Sequence, residues 1–126
     1  MNEEVIKLIE KADHALEVAE ELMKIGYSSD ATSKMYFAMF YAAQALLKSD
    51  DIEVTKHSAV ESALGYHYAK QGRIDPKYHR MLIDARKLRE IADYDIQEEI
   101  LETTATFKFE ETKAFLATIK ELLGIH

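Results

Sequence analysis

The sequence of 126 residues contains no cysteine, one proline and only four glycines. The absence of cysteine excludes disulfide bonds, thiolate metal sites and cysteine nucleophiles. So few glycines and prolines supply few turn signals, which leaves little room for a sheet of many strands. The glycines are scattered, and neither a glycine-rich phosphate loop nor a G-x-S-x-G elbow occurs. The sequence therefore carries none of the usual signatures of hydrolases, kinases or dinucleotide-binding enzymes.

Long hydrophobic segments are also missing. The longest apolar run, residues 35–47, is interrupted by Gln44 and is too short to span a membrane. The first five residues, Met-Asn-Glu-Glu-Val, lack the basic start and apolar stretch of a signal peptide. We therefore expect a cytoplasmic protein without membrane contact. A hydrophobic content of 48% and a charged content of 31% predict one globular domain over residues 1–126.

Positive charge is scarce but concentrated. The net charge of −7 disfavours a nucleic-acid-binding surface over the whole protein. Residues 76–89 nevertheless hold five basic residues and one acid, so this segment is +4 and the remainder is −11. Such an asymmetry is typical of a local anion site on an acidic body or of a solvated helix face. For Arg86 and Lys87 the solvated face is favoured.

Hydrophobic periodicity predicts five helices, over about residues 3–25, 28–48, 57–70, 76–94 and 102–123. The second is apolar almost all round, so it lies at the centre of a bundle or against a second subunit. No segment shows sustained alternation of apolar and polar residues. The fold class is therefore all-α, a five-helix up-and-down bundle.

Polar residues before each apolar pattern supply the predicted helix starts. The candidate N-caps are Ser28, Ser29 or Asp30 for the second helix, Thr55 or Ser58 for the third, and Asp75 for the fourth. Ser58 has Glu61 three residues later, which is capping-box spacing, and Asp75 is followed by Pro76. Gly26 and Gly124 follow the first and last patterns as C-terminal stops.

Arg89 is a charge on an apolar helix face. The fourth helix repeats apolar residues at i, i+3, i+4 and i+7, and Arg89 falls within that stripe, with Asp93 one turn later. An unpaired buried charge is very costly. The guanidinium therefore requires a partner carboxylate, a subunit interface or an anionic ligand.

Three segments resemble HEPN domains (higher eukaryotes and prokaryotes nucleotide-binding). Residues 33–47, SKMYFAMFYAAQALL, resemble the second helix of that family, and residues 56–60, KHSAV, resemble the start of its third. Residues 89–95, REIADYD, are similar to the R-x-x-x-D-Y segment of one prokaryotic branch. The resemblance spans about residues 5–123, and the number and order of helices agree.

The resemblance implies a five-helix bundle that forms a homodimer and acts with a small nucleotidyltransferase in a toxin–antitoxin or related pair. Active members are metal-independent ribonucleases with an R-x4–6-H motif, in which Arg and His meet across the dimer cleft. Here Tyr94, Asp95 and Ile96 occupy the positions where His is required after Arg89. Arg73 and His79 satisfy the spacing, but Pro76 divides them, and we interpret that match as chance.

The candidate site is built around Arg89 and His57. Arg89 can bind phosphate oxygens in a bidentate manner, and Asp93 would hold it in place. In the resembling family this His lies near the Arg, so His57 is the candidate general base or phosphate ligand; the alternative is a neutral histidine packed in the bundle. Tyr94 is a candidate nucleotide contact. In some toxin relatives the partner nucleotidyltransferase adenylylates a tyrosine just beyond the motif, so modification of Tyr94 is a further hypothesis.

The second helix offers further candidates. Ser33, Tyr36 and Phe40 share one side with Gln44 nearby, and could line a nucleotide pocket in which rings stack on a base. The alternative is a set of core aromatics with satisfied polar tips. No histidine pair has zinc-site spacing, so we expect no metal and no cofactor.

Three hypotheses follow. In the first, a dimeric HEPN protein binds a nucleotide or RNA phosphate around Arg89, Asp93 and His57 and works with a nucleotidyltransferase. In the second, the chain is a non-catalytic interaction module in which the Arg89–Asp93 ion pair fixes the register of the dimer. In the third, it is a metal-independent ribonuclease toxin that uses His57 in place of the missing motif histidine.

Overall fold

A computed structural model describes residues 2–96 and 99–125. Within these ranges there are five α-helices and no strand: α1 (Glu3–Lys24), α2 (Ser28–Ser49), α3 (His57–Leu64), α4 (Pro76–Tyr94) and α5 (Glu102–Leu123). A π-helical turn, Gly65–Ala69, continues α3. The all-α class and the five helices predicted from the sequence are confirmed. Across the described ranges, no helix has the length and hydrophobicity to cross a bilayer.

Helix α2 is the centre of the bundle. Twelve of its 22 residues are buried, and it contacts all four other helices. Ala38, Ala42 and Ala43 are fully buried, and their small side chains allow close helix approach. Because removing apolar surface from water is the main favourable term in folding, this helix anchors the core. Its predicted central position is confirmed.

Local sequence signals set three helix boundaries as predicted. The Asp75 carboxylate accepts a hydrogen bond from the Lys77 amide at 2.9 Å, and Pro76 is the first residue of α4. Gly26 and Gly124 have φ angles of 84° and 77° just beyond α1 and α5. Glycine adopts this left-handed conformation without steric cost, which explains the helix ends.

The caps predicted for α2 are wrong. The helix begins at Ser28, so Ser28, Ser29 and Asp30 lie inside it; Tyr27 occupies the N-cap position without a side-chain hydrogen bond. The Ser29 hydroxyl accepts a hydrogen bond from the Ile100 amide at 3.3 Å. It therefore ties α2 to the segment that precedes α5, a partner 71 residues away.

The caps predicted for α3 are wrong for a similar reason. Lys56 is the N-cap residue, and neither Thr55 nor Ser58 supplies a side-chain cap. The Glu61 carboxylate accepts hydrogen bonds from the Arg86 guanidinium at 2.8 and 3.3 Å. A charge-assisted pair with α4 has displaced the local capping box.

Glycine at the start of the π-helical turn lets α4 approach α3. The His79 ring lies so close that a Cβ atom at Gly65 would be 2.6 Å from its Cε1. The His79 Nε2 lies 2.9 Å from the Glu61 carbonyl oxygen. The ring thus fills the space that a side chain at Gly65 would need.

The connection after α4, predicted over residues 95–101, lies between α4 and α5. Gln97 and Glu98 of that connection are outside the described residues.

Candidate functional site

The Arg89 side chain turns toward the bundle and is only 20% exposed. Its Nε donates a hydrogen bond to the Asp93 carboxylate at 3.1 Å, one turn later on α4. Its Cζ lies 4.9 Å from the Phe37 ring centroid and 5.6 Å from that of Tyr36. A guanidinium at these distances is attracted to the ring faces. The ion pair and the two rings therefore fix the arginine between α2 and α4.

The two terminal nitrogens of Arg89 remain available. Within residues 2–96 and 99–125, only its Nε has a protein hydrogen-bond partner. No buried side-chain nitrogen or oxygen of those residues lacks a partner, so both terminal nitrogens reach the surface. A held guanidinium with two open donors is suited to bidentate binding of phosphate or carboxylate.

Asp93 is held in turn by α2. The Ser33 hydroxyl donates a hydrogen bond to Asp93 Oδ2 at 3.3 Å, and the same oxygen accepts from Arg89. The carboxylate thereby links two helices and orients the guanidinium. The structure thus brings together Ser33, Arg89 and Asp93, which were three of the sequence-derived candidates.

His57, the first residue of α3, packs against the same aromatic side chains. Its ring centroid lies 4.3 Å from that of Phe40 and 5.8 Å from that of Phe37. Burial lowers the pKa of His57 below its ordinary value, and the positive charge of Arg89 lowers it further. The imidazole is therefore neutral at pH 7.

The hydrogen bond to Tyr36 sets the tautomer of His57. The Tyr36 hydroxyl lies 2.9 Å from His57 Nδ1, and burial of the phenol raises the pKa of Tyr36 to about 12. This hydroxyl has no other hydrogen-bond partner among the described residues, and leaving a buried donor unpaired costs about 1–3 kcal/mol. Tyr36 therefore donates to Nδ1, and the imidazole proton lies on Nε2. In this tautomer His57 offers a hydrogen-bond donor rather than a base.

The remaining candidates lie in different surroundings. Tyr36 and Phe40 are 1% and 5% exposed, so their rings are core aromatics that a nucleotide base cannot reach. Gln44 donates to the Val54 carbonyl at 3.1 Å and so supports the loop before α3. Tyr94 is 71% exposed and lies beside Lys87 on the protein surface.

Arg73 and His79 lie in separate networks. Arg73 pairs with Asp50 at 2.8 Å, and its Cζ lies 4.1 Å from the Tyr68 ring centroid. His79 instead contacts the Glu61 carbonyl. Their R-x5-H spacing therefore does not assemble a joint site within the protomer.

Arg86 is not the solvated residue that the sequence favoured. It forms a bidentate pair with Glu61, and its third hydrogen bond goes to Glu90 at 3.0 Å. These bonds raise the pKa of Arg86 above its ordinary range. Because the pair spans α3 and α4, it holds those helices together.

A groove between α1 and α2 was missed by the sequence analysis. It encloses about 350 Å³, and its walls carry Lys11, His14, Val18, Lys34, Phe37 and Tyr41. The signal in the sequence was a shared i, i+3 and i+7 spacing on two neighbouring helices, with Lys11, His14 and Val18 on α1 and Lys34, Phe37 and Tyr41 on α2. Phe37 lines this groove and also contacts both Arg89 and His57, which with Tyr36 and Asp93 form what we call the Arg89 cluster.

The described residues contain no group of three His, Asp or Glu side chains that could hold a metal ion. The candidate site is instead composed of one cation, one neutral imidazole and the groups that orient them. This arrangement can bind an anion by charge and hydrogen bonding.

The chain is similar in sequence to several known proteins. The chain is 33% identical to "Putative toxin MJ0142" of Methanocaldococcus jannaschii, over 95% of this chain and 82% of that protein. It is 30% identical to "Putative toxin MJ0605" of the same organism, over 98% of this chain and 91% of that protein. It is 36% identical to "UPF0332 protein glr0978" of Gloeobacter violaceus, over 75% of each. A family model described as the HEPN domain matches residues 5–125, and the chain therefore belongs to the HEPN domain family.

Proposed function

We propose that this HEPN protein binds a nucleotide or an RNA phosphate through Arg89 and His57. The observation that carries the proposal is a held guanidinium with two open nitrogens beside a neutral imidazole that presents Nε2–H. Both side chains pack on Phe37, so their donors belong to one small region. Asp93, Ser33 and Tyr36 are positioning residues, because they act on the ligand through Arg89 and His57.

The chemistry of these donors favours an anion with several oxygen atoms. Phosphate offers oxygens to both Arg89 nitrogens and to His57, and each hydrogen bond to a charged group contributes about 1.5–3 kcal/mol. The overall charge of −7 works against non-specific attraction of nucleic acid. The affinity must therefore come mainly from these few contacts.

Replacement of Arg89 by alanine tests this function directly. Titration with a nucleoside monophosphate should show at least about a tenfold loss of affinity, which corresponds to one lost charge-assisted contact. The matched control is Arg80→Ala, which removes the same charge from an exposed position of α4. Arg80→Ala should bind as the unaltered protein does. Equal affinities for all three proteins, or no binding by any, would reject the proposal.

We infer that two copies of the chain form the functional unit. The apolar stripe of α4 supports this, since only Leu82 and Ala85 are buried and Met81, Leu88 and Ala92 stay half-buried. A second copy could cover this surface, as the family resemblance implies. Sedimentation at micromolar concentration should give the mass of a dimer; the mass of one chain at every concentration would reject it.

The toxin names of two relatives support a toxin-like role. A small nucleotidyltransferase is the partner that the family resemblance implies. Tyr94 is accessible to such an enzyme because 71% of it is exposed. Incubation with the partner enzyme and ATP should increase the mass by one nucleotidyl group, and Tyr94→Phe should prevent it. An unchanged mass of the native chain would end the modification hypothesis.

A non-catalytic interaction module is the second candidate, supported by the Arg89–Asp93 pair. It requires that Arg89→Ala dissociates or unfolds the protein. An intact dimer with unchanged melting would exclude it.

Ribonuclease activity is the third candidate, since two relatives are named as putative toxins and the family resemblance implies that active members cleave RNA. In the tautomer inferred from the Tyr36 hydrogen bond, His57 cannot abstract a proton through Nε2, so turnover would need a shift of the imidazole proton. Total RNA incubated with excess protein and a chelator should stay intact if the site only binds. Degradation that His57→Gln abolishes would establish the enzyme.

A further inference from the structure

We propose that the groove between α1 and α2 binds a single-stranded RNA chain, one phosphate of which is held at Arg89. This inference rests on the proposed function and extends it from a mononucleotide to a polynucleotide. The groove lies next to the Arg89 cluster, since the Phe37 ring lines the one and lies 4.9 Å from the guanidinium in the other. A strand that leaves Arg89 across Phe37 therefore enters the groove.

The charge of the groove fits a phosphate backbone. Six of the twelve lysines of this acidic chain have a carboxylate within 4.0 Å; the pairs include Lys7–Glu3, Lys108–Glu111 and Lys120–Asp13. Lys11 and Lys34 have no such partner among the described residues. Their charges are available to neutralise phosphates, with release of the counterions.

Within the described part of the chain, Lys34 stays unpaired although Asp30 lies close to it on the same helix. Asp30 precedes Lys34 by four residues, a spacing at which helix ion pairs form readily, yet no ion pair joins the two. The Lys11 Nζ instead lies 5.1 Å from the Tyr41 ring centroid. Both lysines line the groove, and neither forms an ion pair among the described residues.

The aromatic lining favours single strands. Phe37 and Tyr41 are half-buried, so part of each ring is open to the groove, in contrast to the buried rings of Tyr36 and Phe40. Unpaired bases stack on such rings with little dependence on sequence, whereas bases within a duplex are already stacked. The combination of unpaired lysines and accessible rings is typical of grooves that follow a single strand.

Binding measured by fluorescence anisotropy tests the proposal. The probes are a single-stranded RNA of about ten nucleotides, within the size range of single-strand sites, a duplex of the same sequence, and a nucleoside monophosphate. The test variant is Lys11→Gln/Lys34→Gln; both positions are exposed, so the fold does not depend on them. The matched control is Lys70→Gln/Lys77→Gln, two exposed lysines that also lie over tyrosine rings, at 5.5 and 5.2 Å, but outside the groove.

The unaltered protein should bind the single strand more tightly than the monophosphate or the duplex. The groove variant should bind the single strand at least about fivefold more weakly, and its dependence on log salt should fall by about 1.4, at about 0.7 per phosphate. Its affinity for the monophosphate should not change. The control variant should match the unaltered protein in every titration.

The outcomes separate this inference from the proposed function. If the groove variant binds the single strand as tightly as the control does, or if the duplex binds best, the inference is overturned. Binding of the monophosphate that depends on Arg89 would then still support the proposed function. If the unaltered protein binds none of the probes, both are overturned.

Discussion

Arg86 and Arg89, three residues apart on α4, have opposite surroundings. Arg86 directs three hydrogen bonds to two glutamates on α3 and α4. Arg89 makes one hydrogen bond to Asp93 and rests on two aromatic rings, while its terminal nitrogens reach the surface. One helix thus carries two different guanidinium groups. All three nitrogens of Arg86 donate to protein carboxylates, whereas within the described ranges only the Nε of Arg89 does so.

The difference suits Arg86 to a structural role and Arg89, one turn later, to the proposed binding of an anion. A guanidinium whose three nitrogens all donate to carboxylates on two helices has little capacity left for a ligand. A guanidinium held by one carboxylate and two rings has its geometry fixed in advance, which lowers the entropy cost of binding. Substitutions at the two arginines should therefore have separable effects.

The largest expected effect is on stability, at Arg86. Arg86→Ala leaves the Glu61 carboxylate, which is 17% exposed, without its partner. Truncation of a fully buried pair costs about 3–5 kcal/mol; for this half-buried pair we expect a loss of about 2 kcal/mol in the free energy of unfolding. Urea denaturation measures it. The neighbouring exposed Lys87→Ala is the control and should lie within about 0.5 kcal/mol of the unaltered protein. An unchanged urea midpoint for Arg86→Ala would contradict the structural role.

The next effect is on binding, at Arg89. Arg89→Lys keeps the positive charge but removes the planar fork and the stacking on Phe37. We expect about a fivefold loss of affinity for a nucleoside monophosphate, measured by calorimetry, with less than about 1 kcal/mol change in stability. Full affinity in this variant would show that charge alone, without the fork geometry, is responsible.

A smaller effect concerns pH and His57. Because the pKa of His57 is lowered on folding, the unfolded chain binds a proton more readily than the folded protein as the pH falls below about 6.5. This group therefore does not affect stability above that pH, and it destabilises the fold progressively as the pH falls to the lowered pKa. The free energy of unfolding of the unaltered protein should decrease more steeply below pH 6.5 than that of His57→Gln. The exposed His14→Gln is the control; parallel profiles for all three proteins would contradict the burial of His57.

The smallest effect is expected at Ser33. Ser33→Ala removes a long hydrogen bond of 3.3 Å to Asp93, which is itself paired with Arg89. The affinity for a monophosphate should fall by less than about threefold, since a hydrogen bond this long contributes about 0.5 kcal/mol and Asp93 stays paired with Arg89. A loss as large as that of Arg89→Ala would mean that Ser33 contacts the ligand directly.

Features set by neighbouring residues were predictable from the sequence. Asp75 and Pro76 define the start of α4 because a cap depends only on the next few residues. The Arg89–Asp93 pair was predictable because it spans one turn of one helix. The apolar residues on almost every side of α2 similarly indicated its central position.

Features that depend on distant partners were not predictable in the same way. Glu61 had the spacing of a capping box, but a partner 25 residues later determines its conformation. The tautomer of His57 depends on a hydroxyl 21 residues earlier. The groove was missed because Lys11 and Lys34, taken one at a time, resemble ordinary solvated lysines; only the packing of α1 on α2 brings them together.

Asp93 lies in the last turn of α4, which ends at Tyr94. Terminal turns fray readily because their carbonyl groups have no later amide in the helix from which to accept a hydrogen bond. An anion bound to Arg89 would fix the position of its side chain. The ion pair with Asp93 would then restrain the last turn of α4. Its amide protons should then exchange with deuterium more slowly when phosphate is bound, which would give a direct local record of occupancy.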